Sequence, residues 1–283
     1  MSEVADRPTV TRERIASDLW KLGFRQGDVV FFHSSLRSLG HVDGGAETVI
    51  DAFLEVVGSG GLVIVPTLTF CFRRHGCDAG FHVSTTPSRV GAITDCLWRR
   101  VGAHRSCHPT HSIAAIGRRA EELVQCHEQT STFGLDGPYG RYVKWGAKIL
   151  FLGVDNRCNT TLHAIEDWLD LPYMQVEQAV LGEPDGSTEV VDVTKSPSGD
   201  RDFYGRDSKV ERLFQQQGLM RRGAVGAAEA FWMPSQEMVK AVVKGLYEEP
   251  TLLLCDNQDC EFCGKYRQPT IDHVRNNRPQ VHI

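Results

Sequence analysis

Asp28-Val29-Val30-Phe31-Phe32-His33 is the stretch that decides the fold. Its apolar run, β-branched then aromatic, reads as a strand buried on both faces. A Ser- and Gly-rich loop from Ser34 to Gly45 follows, and then Ala46, Val49, Ile50, Phe53 and Val57 mark the apolar face of a helix. Leu62-Val63-Ile64-Val65-Pro66 is the next strand, ending at Thr67-Leu68-Thr69. Strand, glycine-rich loop, helix and strand make a βαβ crossover, so the two strands should be parallel and the crossover right-handed.

Upstream, a helix opens at Thr11, carries Ile15, Leu19 and Trp20 on one face, and stops at Gly23. Downstream, residues 70 to 89 are irregular and polar, with Arg73, Arg74, His75 and His82, and read as a long loop over the strand ends. Ser88 is expected to cap a helix containing Val90, Ile93 and Leu97. The chain then returns through Arg105 to Ser112 into the apolar run Ile113-Ala114-Ala115-Ile116. Lys148 to Val154 is a further buried strand, Gln178 to Thr194 a hairpin turning at Asp185-Gly186, and residues 195 to 209 a polar loop. Pro234 and Ser235 start a late helix carrying Met238, Val242 and Leu246.

The 283 residues are 41% hydrophobic and 24% charged, ordinary for a globular chain. One continuous domain over residues 1–283 is expected, with a Cys-rich tail over 250–283. A net charge of −5 leaves no basic footprint for nucleic acid. Met1 to Leu22 has no uninterrupted apolar core and does not read as a signal peptide, and no stretch approaches membrane-spanning length. The chain reads as cytoplasmic, without nucleic acid or membrane as partner. Nine cysteines, an odd number in a long chain, fit that compartment as thiols.

His163 and Glu166 carry the sharpest chemistry. They lie one helical turn apart, just beyond the strand Lys148 to Val154, at the sheet edge where ligands of open α/β folds bind. Both can point into one cleft as a base and its orienting partner. A lone His-x-x-Glu pair is more often surface decoration, so the context decides. The loop Ser34-Ser35-Leu36-Arg37 can cradle phosphate at the helix start that follows, although it matches no standard phosphate motif. His108 and His111 flank Pro109 and can bring an imidazole to the sheet edge. At the end of the chain Cys255, Cys260, Cys263 and His273 offer three thiols and an imidazole, enough for a tetrahedral zinc shell, though not with standard zinc-knuckle spacing.

Taken together these segments resemble the aminoglycoside 3-N-acetyltransferase, or antibiotic N-acetyltransferase, family. The resemblance rests on His33-Ser34-Ser35-Leu36 with Gly44-Gly45, Pro66-Thr67 with Thr69, Thr86 to Gly91, Arg105 to Ser112, Gly137-Pro138 with Gly140, Leu152-Gly153-Val154, and Asn159 to Glu166. These motifs cover roughly residues 10 to 170, with a looser match from Gly223 to Glu229 and in the late helix. This chain departs from the family at Gly137-Pro138-Tyr139, where Ser-Pro-Leu is usual, and near His127.

The resemblance implies an α/β fold, an αβα layered sandwich with a mostly parallel central sheet and an added C-terminal β-hairpin region. It implies direct transfer of acetyl from acetyl-coenzyme A to an amine, typically the 3-amino group of an aminoglycoside. His163 is then the general base and Glu166 its partner, with His33 and His108 as further catalytic candidates and His127 behind them. The coenzyme would meet Ser34, Ser35, Leu36, Arg37, Val65, Thr67, His111 and Ser112. Thr67 or Ser112 could also face the developing oxyanion. An acceptor carrying ammonium groups would be held by Thr69, Asp136, Asp167 and Asp170. Cys158 is expected to be a buried thiol rather than a nucleophile. A homodimer is left open. Two other classes compete: an N-acyltransferase for some other biosynthetic amine, and a metal-dependent hydrolase using His163, Glu166, His108 and His111 as ligands. A partner-binding module docking through the terminal cysteines is a third.

Overall fold

The computed structural model describes residues 9–77, 79–183, 185–195, 206–278 and 281. Most of the segment read as a polar loop over 195 to 209 lies outside the described residues. After a two-residue strand β1 (Thr9–Val10), helix α1 (Arg12–Leu22) is capped by Thr11, whose side chain accepts from the Arg14 N–H, and ends at left-handed Gly23. Strand β2 (Val29–Ser34), the short β3 (His41–Val42), α2 (Gly45–Val57) and β4 (Leu62–Pro66) follow. β2 and β4 are parallel, as the crossover requires. Next come α3 (Ala92–Leu97), β5 (His104–Arg105), β6 (Ile113–Gly117), α4 (Ala120–Val124), α5 (Pro138–Lys144) and β7 (Lys148–Leu152). The helix expected from Ser88 thus begins later, with Gly91 at its cap, and the Ser88 hydroxyl instead pairs with Thr94.

Helix α6 (Thr160–Trp168) leads to the hairpin β8 (Gln175–Gly182) and β9 (Thr188–Lys195), which form a separate two-stranded sheet turning through Asp185-Gly186. Helix α7 (Lys209–Gln216), β10 (Arg221–Val225), β11 (Ala228–Pro234), α8 (Ser235–Glu248) and α9 (Glu261–Asn277) complete the chain.

The central sheet has the order β10-β11-β7-β2-β4-β6-β5. The layered α/β architecture is the expected one, but the sheet is not mostly parallel. β2 runs parallel to β4 and β7, and the outer pairings β4–β6, β5–β6, β7–β11 and β10–β11 are antiparallel. An apolar run such as Ile113–Ile116 carries no direction, so a continuous strand reads the same either way.

Alternation along the strands builds two cores. Val30 and Phe32, Val63 and Val65, and Leu150 and Leu152 face α1, α2 and α3, where Ile15, Leu19, Val49, Phe53 and Ile93 close one layer. Phe31, Ile64, Ile149 and Phe151 face the other way, onto Tyr139, Tyr142, Leu162, Ile165, Met238 and Val242 of α5, α6 and α8. The chain leaves β2 toward β4 on one side, and β7 later pairs on the other. The carboxyl end of β2, at His33 and Ser34, is therefore a topological switch point, where such sheets bind ligands. No helix of the described residues is long and apolar enough to cross a membrane.

Candidate active site

Asn159 caps α6 by accepting from the Thr161 N–H, which fixes the first turn and sets His163 and Glu166 on one face. His163 Nδ1 lies 2.8 Å from Glu166 Oε2. Glu166 is wholly buried, and its other oxygen accepts from the Tyr173 hydroxyl at 3.1 Å. An Nδ1–H donated to the carboxylate fixes the neutral tautomer and leaves Nε2 as the basic nitrogen. The His163 side chain keeps 15% exposure, so the imidazole meets solvent while its partner does not.

His163 lines a cavity of about 390 Å³ together with His33, Ser34, His111 and Thr160 and an apolar wall that includes Pro66, Leu68 and Phe70. Burial, with the neighbouring His163 adding to it, pushes His33 and His111 down to about 3. Both are neutral at physiological pH. His33 stacks on Phe151, and its Nε2 is buried with no hydrogen-bond partner among the described residues. His111 Nδ1 lies 2.8 Å from the Thr110 hydroxyl.

Two further hollows adjoin this cavity. One, sharing Ser34, is about 580 Å³ and is lined by Ser35, Leu36, Arg37, His41 and the first residues of α2 and α3, Gly45 and Ala92. Helix starts with exposed Arg37 beside them suit an anionic group. The other, sharing Arg157 and Cys158, is about 980 Å³ and brings in Asp155, Asp207, Glu211 and Glu229 with Arg206 and Arg222. These carboxylates are not legible in the sequence because they come from three separate segments, after β7, at the start of α7 and in β11, that only the fold assembles.

Several expected site residues sit elsewhere. The hydroxyls of Thr67 and Ser112 are fully buried, 2.8 Å apart, and both accept from Arg105 Nε. Neither lines the cavity or the two hollows. Val65 is buried in the opposite layer, against the α2 side. Arg105, lowered to about 10 chiefly by burial, also donates to the carbonyls of Thr67 and Thr86 and so ties three segments behind the site. Thr69 donates to the Pro109 carbonyl.

His108 is not a base at the cavity: its Nδ1 accepts the backbone N–H groups of Thr110 and His111, and its ring stacks on His127. His127 is likewise engaged at both nitrogens, by Ser106 and the Thr132 carbonyl. None of the three acidic acceptor candidates reaches the cavity or either hollow. Asp136 is 94% exposed opposite Lys144, Asp170 is exposed, and Asp167 accepts from Ser131 and is raised to about 6, mainly by burial.

The cysteines also need correction. Cys71 and Cys77 are joined as a disulfide, their Cα atoms 5.3 Å apart, because the turn Arg73–His75 folds the loop back on itself. Cys158 is exposed and lines the cavity instead of being buried. Among the described residues the grouping able to hold a metal is Cys255, Cys260 and Cys263, so the His163, Glu166, His108 and His111 set of the hydrolase reading does not gather. His273 lies apart from the thiols, with Nε2 on the Leu169 carbonyl at 2.8 Å and Nδ1 on Asn277 at 3.0 Å.

An imidazole paired with a buried carboxylate thus lines a cavity that adjoins one hollow at two helix starts and another lined by carboxylates and arginines. Comparison with known proteins narrows the class. The family model for aminoglycoside 3-N-acetyltransferase matches residues 31–247. Aminoglycoside N(3)-acetyltransferase VII of Streptomyces paromomycinus is 32% identical, over 85% of this chain and 92% of that protein. Aminoglycoside N(3)-acetyltransferase III of a Salmonella species is 31% identical over 81% and 88%. The crystal structure of aminoglycoside acetyltransferase AAC(3)-IVa superposes with a TM-score of 0.80 at 26% identity, covering 93% of this chain and 99% of that one. A histidine-to-alanine mutant of that enzyme has been solved with a gentamicin and with apramycin. The chain belongs to the aminoglycoside 3-N-acetyltransferase family, as its motifs implied.

Proposed function

We propose that this enzyme transfers the acetyl group of acetyl-coenzyme A directly to the 3-amino group of an aminoglycoside, with His163 as general base. The observation that carries the reading is the 2.8 Å contact between His163 Nδ1 and the fully buried Glu166. The neutral amine attacks the thioester carbonyl carbon, and the amine proton passes to His163 Nε2. The C–S bond then breaks and the coenzyme leaves as a thiol, taking a proton that His163 can return. Glu166 holds the ring in register and balances the imidazolium while it lasts, as the acid member of a hydrolase triad does.

The hollow at Ser34 to Arg37 supports coenzyme binding through the starts of α2 and α3 and the Arg37 charge. The groove with Asp155, Asp207, Glu211 and Glu229 offers carboxylates to a polyammonium acceptor, whose ammonium groups would compete with Arg157, Arg222 and Arg206 for three of them. Gentamicin and apramycin, bound by the structural relative, are the first acceptors to try.

Cys158 supports a second reading, a ping-pong path through an acetyl-thioester on the chain, because it shares the cavity with His163. Its environment argues against that. Although the residue as a whole is exposed, partial desolvation of its sulfur in the cavity wall and then Asp155 raise the thiol above the ordinary range, whereas a nucleophilic cysteine needs it lowered. The two paths separate kinetically. Direct transfer predicts intersecting initial-velocity lines, a loss on the order of 10²–10⁴ in kcat for His163→Ala, and near-normal turnover for Cys158→Ser. Parallel lines with an inactive Cys158→Ser would establish the covalent path instead.

A further inference from the structure

We propose that Cys255, Cys260 and Cys263 form a structural zinc site of three protein thiolates that fastens the start of α9 to the core behind Glu166. The ligand atoms of the three residues already lie within 4.8 Å of one another. A tetrahedral shell with Zn–S near 2.3 Å sets its sulfurs about 3.8 Å apart. Contraction of roughly 1 Å, within reach of side-chain rotation, closes the cluster.

The surroundings match what thiolates bound to a metal require. Cys260 caps α9, a helix of 17 residues, and its sulfur accepts the Cys263 N–H at 3.5 Å. The Cys255 N–H donates to the Cys263 sulfur at 3.3 Å. Two of the three sulfurs thus receive backbone donors of the kind that orient metal ligands, and the helix start favours negative charge. Arg267, one turn beyond Cys263, donates to the Cys255 carbonyl at 2.8 Å and brings a positive charge to the loop.

Binding exchanges three S–H bonds for three Zn–S bonds and releases three protons, with no change in oxidation state. His273 is engaged with Leu169 and Asn277, so among the described residues the protein ligands are the three thiolates.

The site also has a structural purpose. Phe262 and Tyr266 of α9 pack against Tyr173, with ring centroids 5.9 and 6.1 Å away, and Tyr173 is the residue that donates to Glu166. Fixing α9 therefore fixes the wall behind the His163 partner. Presence of the metal is independent of the transfer reaction, and its test needs no turnover.

The full chain, purified reduced and without chelator, is assayed for metal by mass spectrometry and for thiolate-to-cobalt absorption after exchange into cobalt(II). The site predicts about one zinc per chain, a cobalt–thiolate band in the near ultraviolet, and a lower Tm after chelation. Cys260→Ser and Cys263→Ser should each lose the metal, while Cys126→Ser, which alters an exposed thiol outside the cluster, should keep it. A metal-free chain with no cobalt–thiolate band, a disulfide within the cluster, or full metal content in Cys263→Ser would overturn the proposal. Should the serine variants fail to fold, the cobalt spectrum of the unaltered chain decides alone.

Discussion

Glu166 sits out of contact with water, and each of its oxygens has a donor, His163 on one side and Tyr173 on the other. A buried carboxylate with one donor removed carries the cost of an unmet acceptor, so Tyr173 matters to a reaction it does not touch. Its role is to position Glu166. Tyr173→Phe keeps the ring packed on Phe262 and Tyr266 and removes only the hydroxyl. A hydrogen bond to a charged group contributes about 1.5–3 kcal/mol, so kcat should fall by roughly 10- to 100-fold. The KM values for both substrates should stay near normal, because neither binding hollow includes Tyr173. A matched rise in KM at constant kcat would show that the hydroxyl serves packing or binding instead.

Among the elements, the βαβ unit from β2 to β4 and the turn after β7 hold the site in place. Gly153 ends β7 at φ +69°, and a Cβ there would run into the Ser38 side chain, whose hydroxyl donates to the Gly153 carbonyl. Gly153→Ala combines a disfavoured backbone with that collision and should destabilise the fold by about 1–3 kcal/mol. The loss should appear as a fall of several degrees in Tm, together with weaker acetyl-coenzyme A binding as the Ser34–Arg37 loop shifts. An unchanged Tm would mean that the loop yields freely. Local periodicity made much of this level legible: Thr11 to Gly23, the crossover and the Asp185-Gly186 turn all read from short windows. Long-range pairing did not. Nothing in Ile113–Ile116 or Ala228–Pro234 states that the strand runs antiparallel to its neighbour, and nothing between Cys71 and Cys77 states that the turn brings their sulfurs together. The same holds for the site. His163 and Glu166 are one helical turn apart and could be paired on paper, whereas Asp155, Glu211 and Glu229 meet only after β7, α7 and β11 are packed.

For the whole molecule, four buried imidazoles make stability depend on pH. Burial lowers His33 and His111 to about 3, His127 to about 4, and His108 well below its ordinary range. The unfolded chain takes up protons at these sites below about pH 6.5, while the folded chain does not, so stability rises with pH. Their contribution is complete above about 6.5 and is lost progressively as pH falls toward 4 and then 3, at roughly 1.4 kcal/mol per pH unit for each imidazole. Tm should be level from pH 8 to about 6.5 and drop steeply below it. A Tm that holds from pH 7 to 5 would show that these rings are reached by water.

The same assembly places His163 in a cavity that adjoins two hollows, and direct transfer requires each of them to deliver one substrate to it. Release of coenzyme A thiol on mixing the chain with acetyl-coenzyme A and an aminoglycoside reads this directly. The account predicts release that requires the amine, yields a product acetylated at the 3-amino group, and falls on the order of 10²–10⁴ in His163→Ala. Release that proceeds equally without the amine, is absent with every aminoglycoside tried, or survives intact in His163→Ala would contradict it.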